Sequence, residues 1–150
     1  MLSFAWGCSR GERGDAAEHK KDPTKESGGL ITVLKGRTLA DFKMKTIGSA
    51  FDSYVFFTKK EWKQTPMQGG QFAIHYTGWV DPATLDDQDG KAGITGKGVD
   101  VMFIIDATGA YYVFMVSRVE SRSDGKQYAY PVGSSKDILA AIYANRKIDF

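Results

Sequence analysis

The 150-residue sequence contains a single cysteine and no apolar run that approaches the length of a membrane span. One cysteine excludes an intrachain disulfide and any metal site built from several thiolates. Because a transmembrane helix needs roughly 20 consecutive apolar residues, any membrane attachment would have to come from a covalent lipid. No segment carries a complete catalytic, metal-binding or nucleotide-binding motif, so motifs predict no catalytic residues, metal or cofactor.

Charge of one sign is also scarce, since 20 Lys and Arg residues are offset by 18 Asp and Glu residues, which leaves a net charge of +2. Proteins that bind nucleic-acid phosphates usually show clustered basic residues, whereas acidic residues are interspersed here. We therefore expect no nucleic-acid partner. The hydrophobic fraction of 42% and the charged fraction of 25% are those of an ordinary soluble globular domain.

The cysteine ends an apolar start, Met1–Cys8 (MLSFAWGC), and a polar segment follows it directly. This junction resembles a bacterial lipoprotein processing site, in which a small residue such as Gly7 precedes the cysteine that becomes lipidated. Trp6 is bulkier than the usual neighbour, and a basic start region is missing. The alternative is an expression remnant or a frayed terminus with an incidental cysteine. The predicted organisation is a signal remnant over residues 1–8, a flexible linker over 9–29 and a single domain over 30–150.

Val99–Val119 is the stretch richest in β-forming residues, and we predict it to be the central hairpin. Its turn is expected near Ala107–Gly109, where Gly109 is free to take a positive φ. Strict alternation would place Tyr112, Phe114 and Val116 on one face of the second strand. Both faces of the hairpin are largely apolar, so both need a cover or one must meet a partner.

The predicted fold is α+β, an antiparallel sheet of four to five strands with two amphipathic helices behind a disordered N-terminal tether. The first helix is expected to begin after the N-cap Thr46 and to reach Phe57, with Gly48 allowing a close approach to the sheet. The second is expected over Lys136–Arg146, and residues 81–98 are predicted to be a long polar loop. The further predicted strands are Leu30–Leu34, Glu61–Thr65, Gln71–Val80 and Gln127–Tyr130.

The segment TIGSAFDSY, a downstream Trp62 and a strand ending in Tyr76-Thr77-Gly78 together resemble a family of small uncharacterised bacterial exported proteins and lipoproteins. The resemblance covers roughly residues 46–78. It implies a helix packed on an antiparallel sheet, and it implies no activity. The long connection before Trp62 and the glycine-rich segment after Trp79 depart from the family pattern.

The acidic residues between Asp81 and Gly90 do not have the spacing of a calcium-binding loop, because Leu85 and Gly96 stand where carboxylates are required. His75 lacks an identifiable nucleophile, so acid–base catalysis is the weakest functional hypothesis. The favoured hypothesis is a non-catalytic exported envelope domain that binds a protein or envelope component. The alternative is a small-ligand or cell-wall-fragment binder that uses strand 71–80 and loop 81–98. The predicted binding residues are His75, Tyr76, Trp79, Tyr111 and Tyr112, and the sequence gives no oligomeric state.

Overall fold

The computed structural model describes residues 23–150, with side chains from residue 29 onward. This part of the chain is α+β, and its five strands form one antiparallel sheet in sequence order, β1-β2-β3-β4-β5. The predictions for residues 1–22, including Cys8 and most of the linker, lie outside the described residues. The strands are β1 Lys59–Pro66, β2 Phe72–Trp79, β3 Ile94–Ile105, β4 Tyr111–Arg122 and β5 Gln127–Pro131, and the helices are α1 Pro23–Lys35, α2 Ile47–Asp52, α3 Asp87–Lys91 and α4 Ser135–Tyr143.

The predicted strand Leu30–Leu34 is wrong, because this segment and the end of the predicted linker form α1. Leu30, Ile31 and Leu34 recur at helical spacing, and all three pack with the hydrophobic core, in which Leu34 is fully buried. Burial of this stripe overrides the β propensity of the short apolar run. Gly48 approaches α1 rather than the sheet, since a Cβ there would lie 2.7 Å from Cβ of Lys35.

Helix α2 begins where the sequence predicts, because the side chain of Thr46 accepts a hydrogen bond from the backbone N–H of Ser49 at 3.1 Å. It ends at Asp52 instead of Phe57. Phe51, next to the last residue of this helix, is fully buried. Phe51 lies edge-on to the ring of Tyr76 at 4.7 Å and to that of Phe103 at 5.8 Å, so α2 is fixed to β2 and β3 of the sheet.

The predicted hairpin is present as β3 and β4, which are paired antiparallel. Its turn is held by the Asp106 carboxylate, which accepts from the N–H groups of Thr108 and Ala110 at 2.9 and 3.1 Å. The predicted alternation fails at one place, where a register shift lets Met102 face Met115 while Phe103 faces Val113. Phe114 is the extra residue of this bulge and is exposed, so Val116 faces the side of the sheet opposite to Tyr112.

The predicted polar loop over residues 81–98 is largely ordered secondary structure. It contains α3, and β3 already begins at Ile94. The acidic residues build the helix end, since the side chain of Asp86 accepts from the N–H of Asp89 and the side chain of Asp89 accepts from the N–H of Asp86. The carboxylate of Asp89 also pairs with Nζ of Lys97 at 2.6 Å. These carboxylates serve a capping box and an ion pair.

Gly98 allows β2 and β3 to approach closely at one end of the sheet. A Cβ on Gly98 would overlap the carbonyl oxygen of Gly78 on the neighbouring strand, and backbone atoms have little freedom to give way. Gly133 is a matched control, because a Cβ there meets nothing within 4 Å and its φ is not positive.

We predict that Gly98→Ala lowers the free energy of unfolding by roughly 2–4 kcal/mol, as expected for overpacking against a fixed backbone. Gly133→Ala should stay within about 0.5 kcal/mol of the wild type. Urea denaturation followed by tryptophan fluorescence measures both. An equal stability of the two variants would show that the strands separate without cost at Gly98.

Candidate functional site

Helices α2 and α4 cover the same side of the sheet. Phe51 of α2 lies edge-on to Tyr143 of α4 at 6.0 Å, and both residues belong to the single core cluster. The opposite side of the sheet, here called the open face, has no helix of 7 or more residues packed on it among the described residues. Residues directly opposite each other in an antiparallel sheet share a face, so the register assigns the open face. Its polar residues include Glu61, Lys63, Thr65, His75, Thr77, Asp100, Ser117 and Gln127.

The centre of the open face holds a hydrogen-bonded group of three side chains. Thr77 and Asp100 are direct partners across β2 and β3, and the Thr77 hydroxyl donates to Oδ1 of Asp100 at 2.9 Å. His75, two residues from Thr77 on the same face, places Nδ1 3.0 Å from Oδ2 of Asp100. This contact assigns the proton of neutral His75 to Nδ1, which leaves Nε2 without a partner among the described residues.

The pKa of His75 is raised above its usual value of 6.5, mainly by the hydrogen bond to Asp100. Partial burial of the ring and the charge of Lys63 oppose this shift. Because the pKa is raised in the folded chain, the pair stabilises the fold fully below about pH 6.5 and loses this effect as the pH rises through the folded-state pKa. Functional sites often contain an imidazole whose orientation and pKa are set by a neighbouring carboxylate.

The group lies in a cleft of about 720 Å³. Gln127 of β5 lines this cleft together with Glu61 and Lys63 of β1, so residues from the first and last strands meet on the open face. The sheet is therefore strongly curved toward this face, as the bulges of β3 and β4 favour. Ile104, on the same face, is only 2% exposed.

The structure separates the predicted binding residues into two groups. His75, Trp79 and Tyr112 lie on the open face, and Tyr112 is 51% exposed. Tyr76 is fully buried on the helix side and donates its hydroxyl to the carbonyl of Phe51, so it offers no surface to a ligand.

Tyr111 also faces the helix side, where its hydroxyl donates to the carbonyl of Thr38 at 2.6 Å and Arg37 lies against its ring. The two tyrosines were predicted together because sequence order does not reveal which neighbour is covered. Cys8, the predicted lipidation site, lies outside the described residues.

Three residues of the site were not predicted from the sequence, Thr77, Asp100 and Lys63. Asp100 stands in an apolar strand, and a carboxylate at that place indicates a polar partner opposite. The residue opposite Asp100 depends on the register of β2 against β3, and the length of the connection between these two strands does not fix that register. Lys63 looked like an ordinary solvated residue of a charged strand, but it is the direct cross-strand partner of His75.

Within residues 29–150, no group of three or more His, Cys, Asp or Glu side chains is arranged to hold a metal ion. No helix of the described part is long and apolar enough to cross a membrane. In comparisons with known proteins, no family model matches the chain, and neither a curated protein nor a solved structure is significantly similar to it.

We predict that Asp100→Asn lowers the pKa of His75, because the hydrogen-bonded carboxylate is lost while burial and the Lys63 charge, which both lower this pKa, remain. An NMR titration of the imidazole Cε1–H signals measures this pKa. The chain has only two histidines, so the His75 signal is assigned by its absence in His75→Gln.

Lys63→Met provides the control of opposite sign, since removal of the neighbouring positive charge should raise the pKa of His75. An unchanged His75 pKa in Asp100→Asn would show that the contact does not persist in solution.

Proposed function

We propose that this chain is an exported or lipid-anchored bacterial envelope domain that binds a protein or envelope component through the open face of its sheet, without catalysing a reaction. The observation that carries the binding part is the cleft around His75, Thr77 and Asp100. The observation that supports the envelope location is the Gly7-Cys8 junction in the sequence. The resemblance of residues 46–78 to exported bacterial proteins agrees with that location.

The cleft has the features of a prepared binding surface. Apart from Gln127 of β5, its polar groups stand on β1, β2 and β3, and eight residue pairs join each of these strands to the next, so the backbone holds them in fixed positions. Asp100 orients His75 and accepts from Thr77 before any ligand arrives. A preorganised group of this kind loses little side-chain entropy on binding.

A small ligand or cell-wall fragment is the second candidate. The cleft is concave, and a second, smaller cleft next to it is lined by Trp79 and Gln127. This version differs from the sequence-based one in one residue and one segment. Tyr76 is in the core, and most of residues 81–98 belongs to α3 and β3. The site would consist of strand residues.

Catalysis by His75 has one supporting feature, the carboxylate of Asp100 at hydrogen-bond distance inside a cleft. A nucleophilic mechanism also needs a hydroxyl or thiol bonded to the free Nε2. In the described part of the chain, the only side chain bonded to His75 is Asp100. Binding is therefore the better supported proposal.

Site-specific photo-cross-linking in the native host tests the binding surface. We expect a photoreactive amino acid at Thr65 or Gln127, which are exposed and line the cleft, to give the same discrete adduct. The control position is Lys43, an exposed residue outside the sheet. Adducts that form equally well from position 43, or none from positions 65 and 127, would contradict binding on the open face.

Mass spectrometry of the protein from its native host tests the anchor. We expect a chain that begins at Cys8 and carries a diacylglyceryl thioether on that residue, and we expect Cys8→Ser to move the protein from the membrane fraction to the soluble fraction. An uncleaved chain with a free Cys8 thiol would refute lipid anchoring. It would leave the proposed binding surface to be judged by the cross-linking.

A further inference from the structure

The open face has one more cationic side chain than it has ion pairs. Glu61 has its own cation, Lys59, at 3.6 Å, and Asp100 has His75 at 3.0 Å. Lys63 lies between these pairs and has no carboxylate partner among the described residues. The face therefore carries one positive charge in excess when His75 is protonated, and none when His75 is neutral.

Lys63 and His75 are directly opposite each other on β1 and β2. Side chains in that relation have Cβ atoms about 5 Å apart, so the Lys63 ammonium and the imidazole can reach one small group together. Nδ1 of His75 is held by Asp100, which directs Nε2 to the other side of the ring. Protonated His75 presents an N–H donor at Nε2, whereas neutral His75 presents a lone pair there.

We propose that the cleft binds a carboxylate group between Nζ of Lys63 and Nε2 of protonated His75, and that Gln127 and Thr65 contact the rest of the ligand. This inference rests on the proposed function, because it names the chemistry that the bound protein or envelope component presents. A single negative charge matches the single excess positive charge of the face. The ligand is released as the pH rises, since neutral His75 turns a lone pair toward the carboxylate.

The surroundings of His75 support this sign of the pH dependence. The charged groups on its side of the sheet are Lys63, Glu61 and Lys59 on β1 and Asp100 on β3, while β5 contributes the uncharged Gln127. No described carboxylate other than Asp100 contacts the imidazole. Proton loss from His75 therefore removes the excess charge without compensation.

NMR titration of the full chain with acetate, the smallest carboxylate probe, tests the proposal, and acetamide is the neutral control of equal shape. At pH 6 we expect a saturable shift of the His75 ring signal with acetate at millimolar concentrations and no saturable shift with acetamide. Bound acetate should raise the apparent pKa of His75, and the affinity should fall at least roughly threefold as the pH rises through that pKa, as linkage requires.

Variants separate the site from a general salt effect. Lys63→Met should weaken acetate binding roughly three- to tenfold, the range expected for the loss of one partly exposed charge contact. Lys43→Met removes the same charge outside the sheet and should have no effect. Equal responses to acetate and acetamide, an affinity independent of pH, or equal effects of the two lysine variants would overturn the proposal. Unchanged backbone amide spectra show that each variant is folded.

Two further ligands distinguish the sources of the carboxylate. A short peptide with a free C-terminus, compared with its amidated form, represents a protein partner, and soluble cell-wall peptides with free or amidated carboxylates represent the envelope. The ligand that binds more tightly, and that loses affinity in Lys63→Met, identifies the source of the carboxylate. If acetate does not bind but cross-linking from positions 65 and 127 succeeds, the proposed carboxylate ligand is wrong and the proposed function stands. If acetate binds but no open-face adduct forms in cells, the proposed function fails.

Discussion

The packing of Phe51 against Tyr76 and Phe103 is the contact on which the rest of the structure depends. Helix α2 has only six residues and would not be stable alone, so its position is set by this buried ring and not by helix propensity. The same ring contacts Tyr143 of α4, which brings both helices to one side of the sheet. One-sided covering then determines which residues of each strand are buried and which remain available.

The open face is the direct consequence, and its polarity has a physical reason. A sheet with one uncovered side normally alternates apolar and polar residues, and β2 and β3 follow this rule only in their middle, at His75, Thr77 and Asp100. Toward one end the open face carries apolar residues such as Ile104, which is 2% exposed. The cleft on this face is lined by His75, Thr77 and Asp100, and its partly buried His75–Asp100 pair is screened less than an exposed pair.

Local signals predicted the elements that depend on local chemistry. Thr46 caps a helix, Asp106 and Gly109 make a turn, and the alternating strand 72–79 pairs as a strand, since each feature needs only neighbouring residues. The helix α1 was missed because burial of Leu34 against distant residues decides its conformation. The bulge at Phe114 was missed for a related reason, because an extra residue in one strand is visible only against its partner.

The candidate site also depends on residues that are distant from one another in the sequence. His75 was singled out because an imidazole on the more polar face of an alternating strand is a candidate acid–base or binding group. What it can do depends on Asp100 and Lys63, which lie 25 residues later and 12 residues earlier in the sequence. Only the registers of β1, β2 and β3 make these three residues neighbours. Once they are adjacent, the two ring nitrogens acquire different roles, because Asp100 holds Nδ1 while Nε2 is bonded to no side chain among the described residues. The imidazole thereby becomes a proton-dependent donor whose natural partner is an anion.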